Sequence, residues 1–368
     1  MTIILFLLIL ALLILVHELG HFSVAKWCDV LVEEFGLGFP PRLFKIKKGE
    51  TTYSLNAIPF GGFVKMLGED QSSDELEVKT NPRSLIAKSR LKQGAVMLAG
   101  VAANWLLAWV LLSGALMLGL PASVDTAPPG AAVEHAALTV TAVKADSPAE
   151  TAGLKPGDVI LNLANQNSNL SAPTTEQAIN LIKQTNTGEV TLTYVPKGES
   201  ATKTINIKPT LGLLESGEPG LGVSLEVLGT VKMSPLLAIS QGFLFTTRVT
   251  KATVLGLGQI FHQAITGQKN LLHSLVGPVG LAGLVGEASD FGFSYLLSFI
   301  AFISVNLAIF NLIPLPALDG GRLLILIIEG ISRRSLPAKF TAYYNLIGLS
   351  LIIILMLVVT YGDLSRLF

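Results

Sequence analysis

The apolar positions of this chain fall into four long runs. From Thr2 to Val16 every residue after Thr2 is apolar, and the run resumes past a short polar insertion to end at Trp27. Gly94 to Leu120 forms the second, interrupted by Asn104 and Ser113 alone. The third starts near Tyr295 and passes through Ile309 to Ile328 with a proline-rich break inside it, and the fourth covers Tyr343 to Tyr361. A hydrocarbon core ~30 Å thick needs ~20 apolar helical residues, and each run supplies them. The pattern predicts a polytopic α-helical membrane protein with about four transmembrane helices, at 1–27, 94–120, 295–330 and 343–362. The first run sits where a signal peptide would. It has neither a basic leading region nor a small-residue cleavage site, so it is expected to be a retained span.

Between the runs the periods shorten. In the 28–93 loop, expected on the cytoplasmic side, Leu43–Ile46 and Thr52–Leu55 flank Lys47-Lys48-Gly49-Glu50, a β-hairpin pattern. Ile58–Met66 follows, an apolar segment containing Gly61 and Gly62 that is too short to span, and together they predict a membrane-associated β-hairpin region. The plainer alternative is an ordinary hairpin resting on lipid. Segment 121–233 alone reads as a water-facing domain. Leu138–Val143 alternates as a strand, and Ser147-Pro148-Ala149, Ala152-Gly153-Leu154 and Gly157-Asp158-Val159-Ile160 give a short helix, a glycine turn and a strand. Thr174–Gln177 has capping-box spacing, and Val190–Val195 and Thr204–Ile207 alternate around a Lys197-Gly198 turn. That order, over about 136–210, resembles a PDZ domain, an α+β fold that commonly accepts a peptide as an added strand. A spacer or steric filter that binds no peptide fits the same residues. In 234–294, Pro235–Thr266 is apolar but broken by Arg248, Lys251, Gln259, His262 and Gln263, which predicts amphipathic helices on the outer membrane surface.

Composition agrees with the pattern. Half of the 368 residues are hydrophobic and 14% are charged, against about 25% in a soluble domain. Twenty-six basic residues balance 26 acidic ones, which excludes a basic nucleic-acid binder and an acidic disordered chain. The single cysteine, Cys28, excludes an internal disulfide framework and a multi-cysteine metal site. The distribution of charge sets the expected orientation. Lys26–Lys92 holds 11 Lys/Arg against 9 Asp/Glu, and the 331–342 link carries Arg333, Arg334 and Lys339 with no acid. Pro121–Met233 has 7 Lys, no Arg and 11 Asp/Glu. Basic loops favour the cytoplasmic side, so both termini and the middle domain are expected outside a cell (inner) membrane.

The candidate chemistry lies in the first run, where His17-Glu18-Leu19-Gly20-His21 is an HExxH motif. Histidines at this spacing lie ~40° apart around a helix and reach one metal ion, and Glu18 beside them is suited to take a proton from bound water. Ionisable groups within a span are costly unless paired, coordinated or functional. A catalytic zinc site uses three protein ligands and keeps a fourth position open. His135, His262 and His273 read better as solvated or partly buried side chains. Asp319 is the better third ligand, in Asn311-Leu-Ile-Pro314-Leu-Pro316-Ala-Leu-Asp319-Gly320-Gly321, because a proline- and glycine-broken span is tolerated only where it is protein-buried or lines a cavity. Depth is consistent with this. His17 lies ~24 Å along a helix from residue 1, with Asp319 a similar count from Tyr295, so both are expected in the cytoplasmic half of the bilayer.

These motifs, with the PDZ-like segment between them, resemble the site-2 protease family of intramembrane zinc metalloproteases, and within it the bacterial regulator-of-sigma-factor branch. The resemblance covers nearly the whole chain. It implies one Zn2+ per chain held by His17, His21 and Asp319, with Glu18 as general base. It also implies substrate-binding positions at Asn311 and Pro314, at Gly100 and Asn104 of Gly100-Val-Ala-Ala-Asn104, and at Gly62 of the hairpin region. The family's usual Gly-Pro pair is Gly100-Val101 here, while Gly277-Pro278-Val279-Gly280 matches a further family motif. Many relatives carry two PDZ domains, and this chain has room for one. The implied reaction is hydrolysis of peptide bonds within transmembrane segments of anti-sigma factors, other single-span regulators or remnant signal peptides. Expected partners are those single-span substrates, the lipid bilayer, and a peptide or protein ligand of the PDZ-like domain, with no nucleic acid. A transmembrane helix hides its carbonyls in its own hydrogen bonds, so such an enzyme must unwind it and satisfy the exposed backbone with a strand. Two other classes compete. A metal transporter would want polar residues through both leaflets, which the outer halves of runs one and three lack, and a non-catalytic PDZ scaffold leaves Glu18 unexplained.

Overall fold

The structure, a computed structural model, describes residues 2–69, 80–124, 127–185, 188–210, 219–266, 277–334 and 336–367. The chain divides into two compact units, Met1–Ala115 with Leu236–Phe368, and Leu116–Pro235. In chain order the elements are α1 (Thr2–Trp27), β1 (Val32–Lys48), β2 (Thr51–Met66), α2 (Arg90–Leu118), β3 (Leu120–Ser123), β4 (Ala132–Val143), α3 (Pro148–Thr151), β5 (Val159–Ala164) and β6 (Asn169–Ser171). There follow α4 (Thr175–Gln184), β7 (Val190–Val195), β8 (Lys203–Ile207), β9 (Val223–Lys232), α5 (Pro235–Ile265), α6 (Pro278–Asp290), α7 (Phe293–Leu312), α8 (Asp319–Ser332) and α9 (Ala338–Leu367).

Four helices of the first unit are long and apolar enough to cross a membrane: Thr2–Trp27, Arg90–Leu118, Phe293–Leu312 and Lys339–Asp363. Phe6, Ile9 and Leu13 of α1 pack against Val285 and Ala288 of α6 and Leu296 and Ile300 of α7. Ala108 and Leu112 of α2 meet Ala301 and Val305 of α7. α5 is a single helix of 31 residues rather than several. It leans on α2, where the Trp105 and Trp109 indoles donate to Thr250 Oγ1 and the Ile239 carbonyl and both rings face Phe243 edge-on. The Gly277–Gly280 motif opens α6, and the amides of Gly277 and Gly280 donate to the Asp363 carboxylate at 3.0 and 2.8 Å. A carboxylate at a helix N-terminus satisfies amides that have no partner within the helix.

The third run is not one span over 295–330. α7 ends at Leu312, the chain turns through 313–318, and α8 begins at Asp319. Prolines at 314 and 316 lack the N–H that a continuing helix would use. The turn packs so closely on α8 that a Cβ at Gly320 would lie 2.2 Å from the Leu312 oxygen, and one at Gly321 2.0 Å from the Leu315 oxygen. The depth count to Asp319 along an unbroken helix therefore does not apply. Asp319 arrives on the first turn of a second helix.

The hairpin region is larger than a short turn followed by a separate apolar segment. Both long strands fold on themselves: Glu34 faces Lys65 on one side and Thr52 on the other, Leu37 faces Gly62 and Leu55, and Lys47 faces Thr52 from beyond. Stretch 62–65 therefore runs along one margin of the sheet, next to 34–37. Its base is apolar, with Val30, Val32, Phe35, Val64 and Met66 buried against Ala25 of α1 and Val96 of α2. Its tip is tied by charge. Arg83 donates to both Glu50 oxygens at 2.7 Å, Lys26 at the end of α1 adds a third bond, and these cations hold the Glu50 carboxyl down to about 2.

The second unit is built on a seven-stranded sheet ordered β3-β9-β4-β5-β7-β8, with β6 on β5. Leu138, Val140, Ile160, Leu163, Val190 and Leu192 form its buried face, covered by Ala178, Leu181 and Ile182 of α4. The capping box at Thr174 is complete, with its hydroxyl accepting from Gln177 N and the Gln177 side chain accepting from Thr174 N. Thr174→Ala is expected to cost about 1 kcal/mol, measured as faster hydrogen exchange of the α4 amides in the full chain. β9 was not anticipated from sequence, and it joins the sheet between β3 and β4.

Candidate metal centre

α1 turns His17 and His21 to one inward face, where they are 8% and 6% exposed. Their Nε2 atoms lie 3.2 Å apart. Asp319 brings Oδ2 to 3.1 Å from His17 Nε2 and 3.2 Å from His21 Nε2, which closes a nearly equilateral triangle. The His21 tautomer is set from behind, because its Nδ1–H donates to the Val96 carbonyl at 2.8 Å. With that proton on Nδ1, a neutral His21 points an Nε2 lone pair at the Asp319 carboxylate. Lone pair against lone pair is relieved by a metal ion or a proton between them. Ligand atoms ~2.0–2.1 Å from a tetrahedral zinc stand about 3.3 Å apart, so the triangle matches one face of such a site and leaves the fourth corner free. Two imidazoles and one carboxylate suit zinc in kind as well as in size. Among the described residues, these three form the converging group that can hold a metal ion. His135 and His262 are exposed and belong to no such group there, and His273 lies outside the described residues.

Beside the triangle is a cavity of about 340 Å³ walled by His17, Glu18, His21 and Asp319, by Gly62–Met66 of β2, and by Glu69, Met97, Ala317 and Arg322. Glu18 is half-buried on this wall. Gly62 lies so near that a Cβ there would stand 2.9 Å from Glu18 Cγ, so β2 approaches the acid as only glycine allows.

α2 supplies the back of the centre from positions four apart. Val96 gives its carbonyl to His21. Gly100 lies under both rings, and a Cβ there would stand 2.3 Å from His21 Nε2 and 2.7 Å from His17 Cε1. Asn104 Nδ2 lies 3.3 Å from His17 Nδ1. Of the five positions expected to bind substrate, Gly62 alone lines the cavity. Gly100 and Asn104 are buried behind the imidazoles, and Asn311 and Pro314 lie off the cavity wall. Their physical setting is the support of the histidines and the turn before α8. Arg322 went unnoticed in the sequence, although a charge three residues after Asp319 in an apolar run is itself a signal. It pairs with Glu69 across the cavity rim.

Known zinc metalloproteases are similar to this chain over its length. The pattern of peptidase family M50 matches residues 5–355. A Clostridium perfringens protein provisionally named a zinc metalloprotease is 38% identical over 364 residues, covering 99% of this chain and 98% of its own. A similarly named Nostoc protein is 33% identical, with 94% of this chain and 93% of its own covered. The zinc metalloprotease RasP of Geobacillus kaustophilus is 28% identical over 440 residues, covering 100% of this chain and 98% of its own.

Proposed function

The chain belongs to peptidase family M50, the site-2 protease family of intramembrane zinc metalloproteases, and from that premise we propose that His17, His21 and Asp319 hold its zinc while Glu18 is its general base. One observation carries the assignment: the triangle of two Nε2 atoms and Oδ2, on an apolar helix, with Glu18 on the wall of the adjoining cavity. Held by His17, His21 and Asp319, zinc would polarise the scissile carbonyl and lower the pKa of a water bound to it toward ~7. Glu18 takes a proton from the attacking water and returns it to the departing amine nitrogen as the peptide C–N bond breaks.

The substrates are single-span membrane proteins, among them anti-sigma factors, other regulators and remnant signal peptides. Their helices must unwind to expose a carbonyl, and β2 is placed to receive the freed backbone. Among the described residues no strand pairs with the outer margin of 62–64, and that stretch walls the cavity. The middle unit acts as a PDZ-like module over about 136–210, a reading supported by the capping-box helix α4 on an antiparallel sheet. It admits a peptide ligand or filters substrates by size. The bias of basic residues supports N-out and C-out insertion in the cell membrane, with the centre toward the cytoplasmic half.

The test uses the purified full chain and a single-span substrate in detergent. A chelator should stop cleavage and added zinc should restore it. Asp319→Asn should take the chain from one zinc toward none after dialysis while the helical signal is kept. Full metal content in Asp319→Asn would remove Asp319 from the ligands, and cleavage indifferent to chelation would overturn the zinc reading.

A further inference from the structure

Asn104 is fully buried, at 0% exposure, one helical turn beyond Gly100 on the face of α2 that meets the histidines. Its Nδ2 faces His17 Nδ1 at 3.3 Å. Its Oδ1 is buried and has no hydrogen-bond partner among the described residues. The backbone at this point is anchored, since Ser304 Oγ of α7 donates to the Asn104 carbonyl at 2.8 Å. A polar side chain in this setting costs stability unless it is used.

We infer that Asn104 is a positioning residue for the metal centre: its side-chain oxygen accepts the Nδ1–H of His17 and so commits Nε2 of that ring to the metal. The inference rests on His17, His21 and Asp319 being the zinc ligands. Nε2 of His17 is the atom turned toward Asp319 and His21, so a neutral ring that ligates through it carries its proton on Nδ1. A protonated Nδ1 needs an acceptor, and an amide NH2 can only donate. Half a turn of the amide exchanges its oxygen and nitrogen in the same space. It puts the otherwise partnerless oxygen opposite Nδ1 and turns the NH2 into the place that the oxygen held. His21 receives the same service from a backbone carbonyl, that of Val96. The two rings are thus oriented by one main-chain and one side-chain acceptor, and only the second can be removed by substitution.

The experiment titrates zinc alone against a chromophoric chelator, on the full chain purified in detergent, with the cobalt(II) spectrum as a second readout. Asn104→Leu keeps the volume and removes the acceptor, and should weaken zinc binding ~10–100-fold. Asn104→Asp is an acceptor at both oxygens and has no NH2 to strand. It should hold zinc at least as tightly as the wild type and keep the four-coordinate cobalt(II) spectrum. A merely structural role predicts the reverse order, because an apolar leucine is easier to bury than a carboxylate. Leucine binding zinc like the wild type, or aspartate binding it less tightly than the wild type, would overturn the inference. If Asn104→Leu does not fold, the comparison of aspartate with the wild type still decides. A wild-type chain without zinc, or one whose affinity survives His17→Ala, would sink the ligand assignment instead.

Discussion

Glu18→Gln is expected to keep its zinc and its fold and to lose cleavage by ~10²–10⁴-fold, the contribution of a positioned general base. Glutamine has the shape of the acid and none of its basicity. Glu18 is outside the triangle of ligand atoms, so the change leaves Nε2, Nε2 and Oδ2 in place. β2 passes close to its stem at Gly62, where an added Cβ would stand 2.9 Å from Glu18 Cγ, and Glu18 borders the cavity. The measurement pairs metal analysis with single-turnover cleavage of a membrane-embedded substrate. Normal turnover by the variant would end the general-base assignment. Loss of zinc would make Glu18 a ligand and would require another base. The same variant serves to find substrates: membrane peptides that accumulate in a strain carrying Glu18→Gln are those that the enzyme normally removes.

The part of the centre readable in sequence is the part written in short-range periodicity. His17 and His21 are one helical turn apart in an unbroken apolar run, so their common face follows from helix geometry alone. Asp319 is readable for a different reason, as an acid amid prolines and glycines where a span should be smooth. The route by which it arrives was not readable. A continuous third helix and a helix–turn–helix share the same apolar pattern, and the difference lies in carbonyls of 312–315 packing on Gly320 and Gly321. Asn104 and Gly100 carry the same lesson. Their spacing put them on one face of α2, yet whether that face looks at substrate or at the histidines depends on how α2 rolls against α1, a contact between residues some 80 positions apart. The sheet beside the cavity was hidden by its register. The turn at Lys48–Thr51 was legible, but 34–37 lies beside both 52–55 and 62–65, and the bends that allow this are at Gly38 and Gly61, both with positive φ. β9 fails for the same cause, since Val223–Val231 pairs with residues some 80 to 110 positions earlier, in β4 and β3.

Gly100→Ala should cost the enzyme its metal, although it adds one methyl group to a helix. Propensity favours the change, because alanine is about 1 kcal/mol better than glycine in a helix interior, so α2 itself should be no less helical. The harm is local. The new Cβ would stand 2.3 Å from His21 Nε2, 2.7 Å from His17 Cε1 and 2.8 Å from His17 Nε2, all well inside ordinary contact at about 3.5–4.0 Å. Neither ring can step aside cheaply. His21 would give up its bond to the Val96 carbonyl and His17 its contact with Asn104, and both would leave Asp319. Moving α2 away instead would break its close packing on α1, where a Cβ on Gly20 would lie 2.4 Å from the Ala99 oxygen. Gly114→Ala is the matched control, on the same helix with no atom beyond its own stretch of helix within 4 Å of the new Cβ, and should bind zinc and cleave as the wild type does. Metal content and cleavage of the two variants, with circular dichroism to confirm equal helix, separate steric eviction of the ligands from any general effect of alanine in α2. Wild-type zinc in Gly100→Ala would mean that the rings do not lie over α2 as the triangle requires, and would reopen the geometry of the centre from which the whole mechanism is drawn.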